Sequence, residues 1–109
     1  MILEIQLKMD DLRNRLLLVE IMAIDLMEKH KVDYLKFSFS NDKSILGYCS
    51  LDVISINKNH ALFDDIDEVI NTILHEIAHA LAGNENNHNV FWKDIAIEIG
   101  VKLDEERYK

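Results

Sequence analysis

The chain has 109 residues, about half of them hydrophobic, with no proline, three glycines, a single cysteine and a formal net charge of −8. That length predicts one domain, residues 1–109, around one modest core. The acidic balance argues against tight non-specific nucleic-acid binding, which needs clustered Lys and Arg to displace counterions. The lone Cys49 excludes an internal disulfide, and apolar runs such as Leu16–Val19 are far too short to span a bilayer.

The opening residues, MILEIQLK, have no basic segment ahead of an apolar one and do not read as a signal peptide. With a single cysteine, the expectation is a cytoplasmic protein with no membrane association. In these first eight residues Leu3, Ile5 and Leu7 alternate with polar neighbours, which suits an extended segment or the start of a helix. Asp10 or Asp11 would serve as an N-cap. From there to about Lys29, Leu12, Leu16, Val19, Ala23 and Leu26 recur at steps of four and three, with Leu17, Leu18, Ile21, Met22, Ile24 and Met27 widening the stripe. A helix this apolar is expected to be buried.

Three strand-like runs follow: Tyr34–Phe39, Ile45–Cys49 and Val53–Asn57. Asn41–Asp42–Lys43 supplies turn chemistry after the first. The short connections predict an antiparallel three-stranded meander, with Ser44–Asn57 as a hairpin-like pair. Val53–Asn57 is expected at a sheet edge, where an extended peptide could add by backbone pairing. Asp64, Asp65 and Asp67 then open a helix at its positive end. It runs to about Ala82 and stops at Gly83, with Ile66, Ile70, Ile73, Ile77 and Leu81 as its core stripe. A polar loop, Asn84–Asn89, leads to a last helix from Val90 to Ile99, burying Phe91, Trp92, Ile95, Ala96 and Ile99. The predicted class is α+β, with helices on one face of a small antiparallel sheet. The acidic clusters Asp64–Glu68 and Asp104–Glu106 read as solvated helix ends.

The chemistry is concentrated in His75–Glu76–Ile77–Ala78–His79. Residues four apart on a helix lie one turn apart on one face, so two imidazoles can share one Zn²⁺. Glu76 is placed to reach a zinc-bound water as general base without ligating the metal, which is the working geometry of an HExxH metallopeptidase. A catalytic site needs a third protein ligand and an open position. His88, Glu98 and His60 are the candidates; residue type and the short loop after Gly83 favour His88. The metzincin pattern does not apply, because Ala82 and Glu85 stand where it needs Gly and His. Trp92 reads as an anchor for the third-ligand loop, His30 as a favourable charge at a helix C-terminus, Cys49 as a small strand residue, and Tyr48 as a packed strand aromatic.

The run Thr72–Ile73–Leu74–His75–Glu76–Ile77–Ala78–His79–Ala80–Leu81–Ala82–Gly83, followed by His88–Asn89–Val90–Phe91–Trp92–Lys93, resembles the SprT-like metallopeptidase family, especially its short phage and bacterial members. The resemblance extends from about Leu26 to Gly100. It implies zinc on His75, His79 and His88, Glu76 as catalytic base, a small zincin-like fold, and a zinc-dependent endopeptidase acting on protein or peptide substrates. Two features depart from the family: Asn89 stands where members often have Gly or Asp, and the Cys-rich zinc ribbon of many members has no counterpart here. The resemblance also implies DNA association, against which the missing ribbon and the acidic charge both weigh. The competing expectations are a binding module that keeps the fold without hydrolysis, against which the intact Glu76 argues, and a purely structural zinc closed by His60 or Glu98.

Overall fold

A computed structural model describes residues 2–83 and 85–103. Helix α1 (Ile2–Lys29) leads into strands β1 (Lys36–Ser40), β2 (Gly47–Cys49) and β3 (Val53–Asn57), followed by helices α2 (Lys58–Phe63), α3 (Ile66–Ala82) and α4 (Val90–Ile99). The α+β class is as expected. The expected Asp104–Glu106 helix end and Asn84 of the polar loop lie outside the described residues. No helix among the described residues is long and apolar enough to cross a membrane.

The sheet corrects the expected meander. Its strand order is β1-β3-β2, with β1 parallel to β3 and β2 antiparallel to it. The hairpin-like pair is present, as Gly47 faces Ile56 and Cys49 faces Ile54. But β1 does not pair with β2; it pairs in register with the far side of β3, Lys36 opposite Val53 and Ser40 opposite Asn57. The cause lies in β3 itself. Ile54, Ser55 and Ile56 are fully buried, and a strand that can be buried on both faces belongs at the centre of a sheet. The half-exposed β1 and β2 take the edges. Val53–Asn57 is therefore the central strand and not an edge, as β1 and β2 are.

Phe37 and Phe39 meet edge to face with centroids 5.2 Å apart, and they share the core face with Ile54 and Ile56. Val19, Ala23 and Met27 of α1 and Val69, Ile73 and Ile77 of α3 complete this core. The turn after β1 forms as expected, with Asp42 Oδ1 accepting from the Ser44 amide at 3.0 Å and its hydroxyl at 2.6 Å. These bonds favour the charged carboxylate and hold the Asp42 pKa below its ordinary value.

Three further expectations change. The first helix begins at Ile2, not at Asp10 or Asp11, so the opening alternation is helical. Much of α1 is exposed where burial was expected: Leu17 is 53% and Ile21 49% accessible. A short helix, α2, also intervenes before the metal-motif helix. Asn57 caps it by accepting from the His60 amide at 2.9 Å, and Arg15 of α1 donates to the Ala61 carbonyl at its other end. His30 is half-buried, and desolvation, then the neighbouring Lys29, lower its pKa. That environment disfavours the helix-end charge expected of it.

Candidate metal centre

α3 buries seven of its 17 residues, and its sequence explains why. Asp67 and Glu68 sit in the first turn, near the positive helix end. Val69, Ile73, Ile77 and Ala78 bury one side against sheet and helices. Leu81, expected in this stripe, is 40% exposed. The helix stops at Gly83, whose φ of 89° and ψ of 154° are open essentially to glycine alone. A Cβ there would also crowd the Glu85 carboxylate at 3.0 Å.

The chain that reverses after Gly83 is held by asparagines. Asn86 Nδ2 donates to the Ala82 carbonyl at 2.8 Å, closing the loop onto the end of α3. Asn89 Nδ2 donates to Asn86 Oδ1 at 2.8 Å, while Asn89 Oδ1 accepts from the Trp92 amide at 3.0 Å and so caps α4. His88, between them, adopts a left-handed φ of 59°. Histidine visits that region more often than most residues, at a cost of roughly 1–2 kcal/mol that the surrounding bonds must offset. This clamp was not legible in the sequence. The polar run from Asn84 to Asn89 reads as generic loop, although an Asn directly before an apolar helical stretch is an N-cap signal.

The result brings together all three expected ligands. His79 Nε2 lies 3.1 Å from His75 Nε2 and 3.0 Å from His88 Nε2, and His88 and His75 close the triangle at 3.1 Å. This is the one group among the described residues with a metal-ligand arrangement. Trp92 is fully buried and packs against all three imidazoles, with centroids 4.8 Å from His75, 5.1 Å from His79 and 4.7 Å from His88. It anchors the trio, as the sequence suggested.

The donor set fits a small cation. Lone pairs of neutral imidazoles turned toward one point repel each other unless a positive charge sits between them. A tetrahedral ion with N–metal bonds of about 2.0–2.1 Å has ligand–ligand edges of roughly 3.3 Å, close to the triangle observed. Burial, and then the nearby His88, push the His79 pKa down to about 4, so its lone pair is available at neutral pH.

Glu76 is 6% exposed and lines the same cleft, of about 510 Å³, together with the three histidines. The opposite wall is Ser44–Cys49, which includes edge strand β2. Tyr48, expected to be packed, is 38% exposed and faces this cleft. Cys49 also lines it; burial and the adjacent Glu76 raise its thiol to about 11, so it remains protonated and inert, as expected of a structural strand residue. The alternative ligands are elsewhere. Glu98 is exposed on α4. His60 is buried on α2 and held by Asp64 and Thr72. Neither closes the site as a fourth ligand.

No match was found among curated proteins or solved structures. The SprT-like family model matches residues 21–108, which takes in the last third of α1, the whole sheet, the histidine triangle and α4. On that match, and with the site it encloses, the chain belongs to the SprT-like family.

Proposed function

We propose that this protein is a zinc-dependent metalloendopeptidase, built as a single small zincin-like domain, that hydrolyses peptide bonds in protein or peptide substrates. The observation that carries this is the convergence of His75, His79 and His88 beside a buried carboxylate, Glu76, in a cleft walled by an edge strand. The family match supports the metallopeptidase-like role. The three-nitrogen donor set supports zinc, which favours imidazole ligands and a fourth position open to solvent.

When bound, zinc polarises a carbonyl and lowers the pKa of a water molecule towards about 7. The chain's own residues do the rest. Glu76, held on α3 one position after His75, takes a proton from the attacking water at its carboxylate and delivers it to the leaving amine. Its burial keeps competing water away from that carboxylate. β2 has one edge paired to β3 and the other toward the cleft, so an extended substrate can add to it as a further strand. Backbone pairing of that kind orients the scissile bond without demanding particular side chains. Trp92 and the Asn86–Asn89 clamp hold His88 in its left-handed conformation, with its ring beside those of His75 and His79.

The test is a pair of variants. Protein purified without added metal should carry about one zinc per chain and cleave a denatured protein. His88→Ala should lose the metal. Glu76→Gln should keep the metal and lose activity on the order of a thousandfold. Wild-type cleavage by Glu76→Gln would show that the base is wrongly assigned.

A further inference from the structure

Outside the histidine triangle, the described residues contain one buried polar network that the hydrolytic chemistry does not use. His60 is only 4% exposed. Burying an imidazole is costly unless both nitrogens are satisfied, and here both are: Nδ1 donates to Asp64 Oδ2 at 2.5 Å, and Nε2 lies 2.8 Å from the Thr72 hydroxyl, whose oxygen is also 3.1 Å from the Glu68 carbonyl. The network continues in the other direction. The His60 amide donates to Asn57 Oδ1 at 2.9 Å, Asn57 Nδ2 donates to the Asp42 carbonyl at 2.8 Å, and the Asn57 amide donates to the Leu46 carbonyl at 2.8 Å. One end is therefore the segment that forms a wall of the metal cleft. The other is Thr72, which lies one turn before His75 and Glu76 on the same helical face.

Thr72 is also where that wall presses on α3. A Cβ added to Gly47 would lie 3.2 Å from Thr72 Cγ2 and 3.0 Å from the Ser55 carbonyl oxygen, so a side chain there would push β2 and α3 apart by a few tenths of an ångström. Leu46, Asn71 and Thr72 also border a second cavity of about 500 Å³ that carries the cleft on past the metal centre. We propose that His60 is a positioning residue. Acting through Thr72 and the Asn57 cap, it fixes the separation between the Ser44–Gly47 wall and the metal helix, and so sets how closely an extended peptide seats against β2. This rests on the peptidase reading above. Satisfied buried networks are suited to the task, because each bond specifies a distance that apolar packing would leave adjustable.

The experiment uses zinc-loaded full-length protein and two probes measured by calorimetry. Acetohydroxamate reports the metal alone. A peptidyl hydroxamate reports the metal and the cleft together. His60→Leu and Thr72→Val should take up zinc and acetohydroxamate as the wild type does, and bind the peptidyl probe on the order of tenfold more weakly. Thr72→Ser, which keeps the hydroxyl, should recover most of the affinity that Thr72→Val loses. Thr72→Val preserves shape, so it carries the test if His60→Leu does not fold. Equal peptidyl binding by wild type, His60→Leu and Thr72→Val would overturn the role of His60 while leaving the peptidase reading intact. A weak Thr72→Ser beside a normal Thr72→Val would also overturn it, since shape alone would then matter. A wild-type chain that takes up neither zinc nor hydroxamate would sink both proposals together.

Discussion

α1 and α3 both carry apolar stripes and bury them to different extents. α1 has 28 residues, so it is about 42 Å long, while β1 and β3 have five residues each and span roughly 17 Å. The sheet can cover only part of such a helix. Val19, Ala23 and Met27 find partners, but the same spacing continues outward through Leu12, Met9, Ile5 and Ile2, which stay exposed among the described residues, and Ile2 is 87% exposed. α3, with 17 residues, is covered by β2, β3, α1 and α4, and even Glu76 is buried. An apolar pattern states what a helix could bury. The dimensions of its neighbours decide what it does bury.

The sharpest way to break this contrast is to truncate a buried side chain of α3 and to make an exposed apolar one on α1 polar. Ile77→Ala, at a fully buried position of α3, should cost about 2–5 kcal/mol in urea unfolding. A loss under 1 kcal/mol would mean that the α3 face is not the centre of the core.

Acidity should also act on α3 first. Because the folded-state pKa of His79 is about 4 against an ordinary 6.5, the unfolded chain binds the extra proton between those values. Stability of chelator-treated protein should therefore fall as pH drops from about 6.5 to 4 and gain nothing further from this group below that. His79→Asn should flatten that part of the urea-midpoint profile, and an unchanged profile would assign the effect to other groups.

A smaller effect is expected at the end of the same helix pair. Asn89→Ala removes the α4 cap and the clamp on Asn86, and should cost about 1 kcal/mol together with a measurable loss of zinc affinity in chelator competition. Retained affinity would mean that Trp92 alone orients His88. The smallest effect belongs to α1. Leu17→Gln, at a 53% exposed site, should move the urea midpoint by no more than about 0.5 kcal/mol. A larger loss would show that the exposed side of α1 is covered in solution.

What the sequence made legible follows from range. The 66–82 and 90–99 helices, their glycine stops and the pairing of His75 with His79 depend on neighbours three and four residues apart, and all were readable. His88 was readable because a nine-residue bridge leaves few geometries. Strand order was not, because β1–β3 pairing joins residues 17 apart and is decided by which strand can be buried on both sides. α2 is six residues long, too short for a periodic signal, and its cap, Asn57, also ends a strand. The reach of His60 toward Thr72 depends on that unseen helix, so its network was invisible until α2 was placed.

The three ligands differ in how much of the fold each one needs. A two-nitrogen half-site needs only α3 to be helical, because His75 and His79 lie one turn apart. The third nitrogen arrives only when the turn at Gly83 closes and α4 docks its indole beneath the ring cluster. A metal ion caught early by His75 and His79 would draw the loop inward and shorten the search for the finished topology, so apo and metal-supplemented chains should differ in refolding rate as well as in final stability.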